Sequence, residues 1–491
     1  MDSSVLFDNF IAKSGADREI TGLSIDSRKV DPGDAFFCLP GSVHDGHEFI
    51  GRSVESGAVC IVYSKDLSAE EMPGAASGGV LYIRVKDTVE ALNLAAKKFF
   101  GSPSEKLFMY GVTGTNGKST IASVLHWIKG SETPCGYIGT ISIEYGNVCT
   151  EPDLTTPNPI FLQKTLSDMV KSGMKACALE VSSQGLAQHR VDGIDFDAVI
   201  FTNLTHDHLD YHKTMDAYFD AKSLLFSERV KPDGVSVLNI DEPRYEQLKA
   251  CSRARTVSYG VERECDYRAQ NIELLPQQTK FDLLHNGKTY KVETNLLAMY
   301  NVYNLLASIA ALAETGSDIE KVIAAARDLP QVKGRLEQIS LGQDFHVIVD
   351  YAHTPDGMYK IMDFGRKAAG NHKLIVVFGS AGLRDKAKRR TFGEITDKYC
   401  DYIVVTEEDP RTESAVTIGQ EIISGIKNTP HTFIEDRESA IRYAIGIAHK
   451  GDTVMILGKG DEKYCDREHG HVFYKGDNVI AAEVLRGLQK S

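Results

Sequence analysis

The chain has 491 residues, more than a single core can serve, which calls for about three domains. Its formal net charge of −13 excludes a general nucleic-acid binder, so any anionic ligand must be met by local lysines, arginines and backbone N–H groups. With 42% hydrophobic and 25% charged residues the composition is that of a soluble globular protein.

Nine scattered cysteines with no C-x-x-C pair read as reduced, mostly buried thiols. The stretch Met1-Asp2-Ser3-Ser4-Val5 carries no basic segment followed by an apolar one, so no signal peptide is expected. No apolar run approaches the roughly 18 residues that span a bilayer. The expectation is a cytoplasmic monomer with no nucleic-acid partner and no membrane insertion.

In chain order, Ala35–Leu39 and Val59–Tyr63 are β-rich runs, and Val89–Phe100 has helical period. Gly101-Ser102-Pro103-Ser104 reads as a linker. The segment from about 105 to 331 is expected to alternate strand and helix, giving a parallel sheet wound by helices. Leu329-Pro330 and Lys333-Gly334 mark a further boundary. Strand candidates follow at 347–350, 374–378, 402–405 and 454–457, separated by helical stretches. The predicted fold is therefore α/β with three domains. Residues 1–102 form a small mixed domain, 103–331 a doubly wound nucleotide-binding domain, and 332–491 a second, Rossmann-like α/β domain.

The most informative motif is Gly111-Val112-Thr113-Gly114-Thr115-Asn116-Gly117-Lys118-Ser119-Thr120, between a short apolar strand and the start of a helix. Glycines let backbone N–H groups approach phosphate oxygens, and the helix N-terminus adds positive potential. Lys118 can reach β- and γ-phosphates, and the Ser119 hydroxyl can ligate Mg²⁺. The strict P-loop pattern places glycine at position 112, where this chain has Val112, so the loop is a variant.

Other polar blocks sit at strand ends. Glu180 closes the apolar run from Lys175, where a carboxylate facing a phosphate loop can hold Mg²⁺ or simply lie at the surface. Three histidines and two aspartates crowd into His206–His212, either a metal or phosphate site or a solvated loop. Lys222 lies on a helix, where a lone lysine is ordinarily a solvated charge. Asn301 and Asn304 read as helix N-cap residues. Asp26-Ser27-Arg28, Pro32-Gly33-Asp34 and Asp45-Gly46-His47 form a turn-rich cluster that turn chemistry alone could explain.

Taken together, the Gly-Thr-Asn-Gly-Lys-Ser-Thr loop and the blocks from about Ser24 to Glu462 resemble the Mur ligase family. The likeness is strongest to those members that add the third residue of the peptidoglycan stem peptide. The resemblance implies an ATP- and Mg²⁺-dependent ligase that joins a diamino acid to UDP-N-acetylmuramoyl-L-alanyl-D-glutamate through an acyl phosphate. It assigns Gly114, Thr115, Asn116, Gly117, Lys118, Ser119, Thr120, Asn301, Arg335, Asp350 and His353 to ATP. Ser119, Glu180 and His208 are implied Mg²⁺ ligands, and Lys222, in Ala-Lys-x-x-Leu-Phe, an implied carbamylated lysine; Lys118, Glu180, His208 and Lys222 form the catalytic set. Ile25, Ser27, Ser42, Val43, His44, Leu154, Thr155, Thr156, Ser182, Gln188 and Arg190 are implied to hold the UDP-muramoyl substrate.

Arg384, Glu408, Asp409, Arg411, Gly458 and Glu462 are implied to surround the incoming amino acid. Two positions depart from the diaminopimelate-adding pattern. Glu408-Asp409-Pro410-Arg411 replaces Asp-Asn-Pro-Arg, and Asp461 replaces the histidine of Gly-Lys-Gly-His-Glu. Both add negative charge beside an amine-bearing substrate. Arg411 favours diaminopimelate, while L-lysine stays open as the added residue. A folylpolyglutamate-type ligase and a non-catalytic relative are the remoter alternatives; the intact Lys118, Glu180, His208 and Lys222 argue against the second.

Overall fold

The structure, a computed structural model, describes residues 1–7, 12–41, 44–275 and 277–488. Three sheets follow one another along the chain. The first has five strands: Ala12–Ser14, Gly22–Ser24, Asp34–Phe37, Cys60–Tyr63 and Leu81–Arg84. The last four run parallel to their neighbours and the first pairs antiparallel with Leu81–Arg84. The helix Thr88–Phe99 starts where the Asp87 carboxylate accepts the N–H groups of Val89 and Glu90. It lays Ala91, Leu92 and Ala95 against Phe37, Val62 and Ile83.

The second sheet has eleven strands. Its centre is parallel: Cys135–Ile138, Ala176–Glu180, Phe108–Thr113, Phe196–Phe201, Val230–Asn239 and Arg255–Gly260 lie side by side in that order. The interior of these strands is almost wholly apolar because both faces are covered by helices. Lys118–Glu132 and Met299–Glu314 fill one face, and Pro159–Lys171 covers part of the other. Phe108–Thr113 lies between Ala176–Glu180 and Phe196–Phe201, so the carboxyl ends of three adjacent strands open on one crevice.

The expected alternation of strand and helix up to 331 fails over 267–294. Tyr267–Leu274, Thr279–His285 and Lys288–Thr294 form an antiparallel extension of the sheet without intervening helices. The turn Asn286-Gly287 has φ of 49° and 73°, the two positive values a tight hairpin needs.

The third sheet has six strands in the order Glu337–Gln338, His346–Asp350, Thr453–Leu457, Leu374–Phe378, Tyr402–Val405 and His431–Phe433. All pairs are parallel except the first. Helices cover both faces, as expected of a second α/β unit. A separate antiparallel hairpin, Tyr464–Arg467 with Gly470–Phe473, stands outside it. Six of the nine cysteines are buried and all nine are free thiols. Among the described residues no helix is long and apolar enough to cross a membrane.

Candidate active site

The glycine loop sits at the head of the helix Lys118–Glu132. Gly117 caps that helix with φ of 92°, and a Cβ there would lie 2.4 Å from Asn304 Oδ1. Asn304 donates in turn to Asn301 Oδ1 at 2.8 Å, and Asn301 Nδ2 to the Leu297 carbonyl at 2.8 Å. The two asparagines therefore do not cap their helix. It begins after Ala298, and both lie within its first turns, buttressing the loop from below. Thr115 and Asn116 are tied to the 202–205 segment, Thr115 N–H to the Asn203 carbonyl at 2.8 Å and Asn116 N–H to Asn203 Oδ1 at 3.0 Å. Thr120 is buried in the first helical turn.

Glu180 is fully buried at its strand end. Its carboxylate accepts from Ser119 Oγ at 3.0 Å, Tyr137 Oη at 2.7 Å, Thr140 N–H at 2.9 Å and Thr140 Oγ1 at 3.1 Å. Tyr137 and Thr140 are site residues that sequence reasoning missed. Their only signal is position, at and just beyond the end of the strand Cys135–Ile138. Gly139 between them permits the approach, since a Cβ there would meet Glu180 Oε1 at 2.2 Å.

Lys118 Nζ donates to the carbonyls of Gly114 and Thr115 at 2.9 and 2.8 Å. Lys222, 1% exposed, is not a solvated charge: its Nζ lies 2.9 Å from the Gly114 carbonyl and 4.4 Å from the centre of the Tyr218 ring. Burial lowers the pKa of both ammonium groups, that of Lys222 strongly, and the neighbouring Lys118 charge lowers that of Lys222 further.

A second network leads away from Glu180. Thr156 Oγ1 is 2.8 Å from the Glu180 carbonyl and 3.1 Å from Ser182 Oγ, and Thr155 Oγ1 is 3.0 Å from Thr140 Oγ1. Arg190 donates to the Thr156 carbonyl at 2.8 Å and to Gln188 Oε1 at 2.5 Å. The five polar residues expected near the muramoyl part thus adjoin one another, with Leu154 exposed beside them. No hydrogen bond or ion pair among the described residues links Ile25, Ser27 or His44 to this network. Ser42 and Val43 lie outside the described residues.

The third sheet brings its loops against the second. Arg335 stacks over the Tyr351 ring at 4.3 Å and donates to Ser119 Oγ at 3.1 Å. Asn116 donates to Asp356 at 3.2 Å, and Arg384 pairs with Asp210 at 3.1 Å. His206 is 3.5 Å from Asp385. Asp207 stands between His208, at 3.3 Å, and His353, at 3.8 Å. Burial pulls the His353 pKa down to about 4 and lowers that of His208 as well. Asp350 accepts the N–H groups of Leu336 and Ala352 at 2.7 and 2.8 Å, which ties the segment after Arg335 to the end of its strand.

Around the expected amino-acid pocket the extra negative charges are neutralised in place. Lys459, 1% exposed, donates to Asp409 and to Glu462, both at 2.8 Å. Those two carboxylates hold its pKa above the usual lysine value against the cost of burial. Asp461 pairs with Lys463 at 2.8 Å. Tyr351 Oη also donates to Glu462 at 2.7 Å. Glu408 is buried beside Gly458, and burial together with the Asp409 charge raises its pKa. Arg411 reaches Asp466 at 3.0 Å and the Gly382 carbonyl at 2.6 Å. Lys459 and Asp466 were not assigned roles from sequence.

The Ser119 hydroxyl and Glu180 carboxylate are hard oxygen donors at a phosphate-binding loop. That fits Mg²⁺ bound through one carboxylate, nucleotide phosphates and water. No group of three or more His, Cys, Asp or Glu among the described residues is arranged as a metal cage, so His208 is no part of a preformed one.

Three domain families match consecutive stretches: Mur ligase family, catalytic domain, at residues 19–100; Mur ligase middle domain at 112–312; and Mur ligase, glutamate ligase domain, at 334–460. A UDP-N-acetylmuramoyl-L-alanyl-D-glutamate–2,6-diaminopimelate ligase of Geobacillus thermodenitrificans is 38% identical over 463 residues, 93% of each chain. A solved structure of a ligase of that name superposes with a TM-score of 0.67 at 27% identity, covering 96% of both chains. The MurF ligase of Thermotoga maritima, solved in complex with ADP, shares the fold: TM-score 0.65, 18% identity, 95% of this chain and 97% of that one.

Proposed function

The chain belongs to the Mur ligase family, and from that premise we propose that it is the ATP-dependent ligase that adds a diamino acid to UDP-N-acetylmuramoyl-L-alanyl-D-glutamate. In this reading meso-diaminopimelate is preferred to L-lysine, and the enzyme works as a cytoplasmic monomer in peptidoglycan synthesis. Residues 1–102 take the uridine end, 103–331 the nucleotide and 332–491 the amino acid. The observation that carries the reading is the convergence on one loop. Lys118, Ser119, Glu180 and Lys222 meet there from one sheet, Arg335 and Asp356 reach it from the other, and His353 meets Asp207 on the neighbouring segment.

The chemistry needs positioning and charge neutralisation more than a covalent nucleophile. The D-glutamate carboxylate oxygen takes the γ-phosphoryl group and ADP leaves. The amine then attacks the acyl carbon and phosphate leaves. Lys118 exchanges its loop carbonyls for phosphate oxygens and neutralises the charge passing between them. When bound, Mg²⁺ at Ser119 and Glu180 supplies further positive charge to the phosphates. Lys222 serves as a carbamate: its buried amine, poor at holding a proton, forms a C–N bond to CO₂, gives up one N–H proton to solvent and becomes an anion that would orient the cation side of the site. Thr155, Thr156, Ser182, Gln188 and Arg190 hold the muramoyl arm, and Arg384, Glu408, Arg411 and Glu462 hold the amino acid.

The test is ADP release from ATP on mixing the dipeptide nucleotide with a panel of diamino acids. Turnover with meso-diaminopimelate, and none when the dipeptide nucleotide is omitted, is the expected result. ADP release that ignores the nucleotide substrate overturns the proposal.

A further inference from the structure

The hairpin Tyr464–Arg467 with Gly470–Phe473 lies against the loop that carries Arg411, outside every motif assigned above. Asp466 is its point of attachment. The Asp466 N–H donates to Asp409 Oδ1 at 2.9 Å, and the Asp466 carbonyl accepts from the Arg411 N–H at 3.0 Å. Its carboxylate takes Arg411 Nη2 on one oxygen at 3.0 Å and His471 Nε2 on the other at 3.0 Å. Arg411 itself has φ of 54°, so its backbone is set by these contacts and not by local preference. The side chains of Arg411 and Asp466 are 22% and 20% exposed, open enough for a ligand to reach and sheltered enough for the charges to be felt.

The two chemical features of the Asp-x-Arg pair are therefore already answered from within the chain. Asp409 is met by Lys459, and Arg411 is met by Asp466. Meso-diaminopimelate and L-lysine differ by one carboxylate at the far end of the side chain, the group for which a guanidinium fork is built. A carboxylate already on that fork offsets its charge and repels a second one. Selectivity is the difference between two affinities, so a residue that weakens only one of them sets it.

Resting on the proposed activity, we propose that Asp466 is a specificity-determining residue. Its carboxylate occupies one arm of the Arg411 fork, Nη2, while Nη1 rests on the Gly382 carbonyl, and so acts as an internal stand-in for the distal carboxylate of the incoming diamino acid. It thereby narrows the preference for diaminopimelate over lysine.

The experiment compares KM and kcat for meso-diaminopimelate and for L-lysine in the wild type, Asp466→Asn, Asp466→Ser and Asp466→Glu. All three variants keep the backbone bonds to Asp409 and Arg411. With either neutral variant the KM for diaminopimelate falls about tenfold, while that for lysine stays within about twofold. Asp466→Glu returns the ratio toward the wild-type value. General damage to the site would move both substrates together and would not be repaired by glutamate. An unchanged ratio in Asp466→Asn and Asp466→Ser, or a higher KM for diaminopimelate in both, overturns the role of Asp466 while leaving the ligase activity standing. A wild-type enzyme that releases ADP with neither amino acid overturns both.

Discussion

Lys118 and Lys222 donate to the same acceptor: each Nζ lies 2.9 Å from the carbonyl oxygen of Gly114. Two ammonium ions on one carbonyl repel each other, and Lys222, 1% exposed where Lys118 is half-buried, gives way. A nucleotide would draw Lys118 towards its phosphates. Lys222 has no such exit, because it is enclosed by Tyr218 and the loop. One lysine is thus placed to neutralise phosphate and the other to lose its proton.

That division of labour predicts loss of activity on substituting either lysine, but rescue by a small carboxylate only for Lys222. Lys222→Ala is expected to be nearly inactive at saturating ATP, and formate or acetate should restore part of the activity by supplying the missing anion. Loss of activity with no rescue by any small carboxylate counts against the carbamate. So does a high-resolution density map at neutral pH showing a bare ammonium at Lys222 with the metal bound.

Lys118→Ala removes the charge that meets the transferring phosphoryl group. The expected loss in kcat is about 10²–10³-fold, the scale seen when one preorganised donor is deleted from a transition-state site. The melting temperature should hold, because the ammonium bonds only to carbonyls of its own loop. Wild-type turnover in a folded variant removes the loop from the mechanism.

Much of this site was legible because strand ends are. A buried parallel strand reads as an apolar run, and the polar residue that breaks it falls at the carboxyl edge of the sheet, as with Glu180 and Asp350. Illegible were the residues whose role depends on long-range contact. Tyr137 and Thr140 bond Glu180 from 40 or more residues away, and Asp466 meets Arg411 across 55. Lys222 looked like an exposed helical charge because its helix gives no sign of which face the sheet covers. The antiparallel edge at 279–294 was a different kind of miss: Asn286-Gly287 is a strong local hairpin signal, overridden by the expectation of a parallel sheet throughout.

Stability should fall on mild acidification. Burial depresses the pKa of both His212 and His353 to about 4, against an ordinary value of 6.5, so the fold holds both neutral. Between pH 6.5 and about 4 the unfolded chain binds these protons first. Stability is therefore full above 6.5, declines as pH drops through that window and levels off below it. His212, 8% exposed and hydrogen-bonded to Ser183, is the cleaner reporter. His212→Gln is expected to show a shallower loss of melting temperature between pH 6.5 and 4 than the wild type. Parallel curves would show that His212 takes up its proton equally in both states.

Arg411 decides the amino acid. Its backbone, with φ of 54°, is held by the hairpin through the bond from its N–H to the Asp466 carbonyl. Asp409 and Asp461, the two residues that add negative charge, are each paired with a lysine, which leaves the balance to Arg411 and its partner Asp466. Arg411→Ala should therefore lower kcat/KM for meso-diaminopimelate at least about tenfold, and by up to roughly 10⁴-fold if the substrate carboxylate is left wholly unpaired. The value for L-lysine should change little, because lysine has nothing to place on the guanidinium. The measurement is kcat/KM for both amino acids in the wild type and in Arg411→Ala. A wild type that prefers lysine, or a variant that keeps the wild-type ratio, would mean that the distal carboxylate is recognised elsewhere in the pocket, with Arg384 the next cation to test.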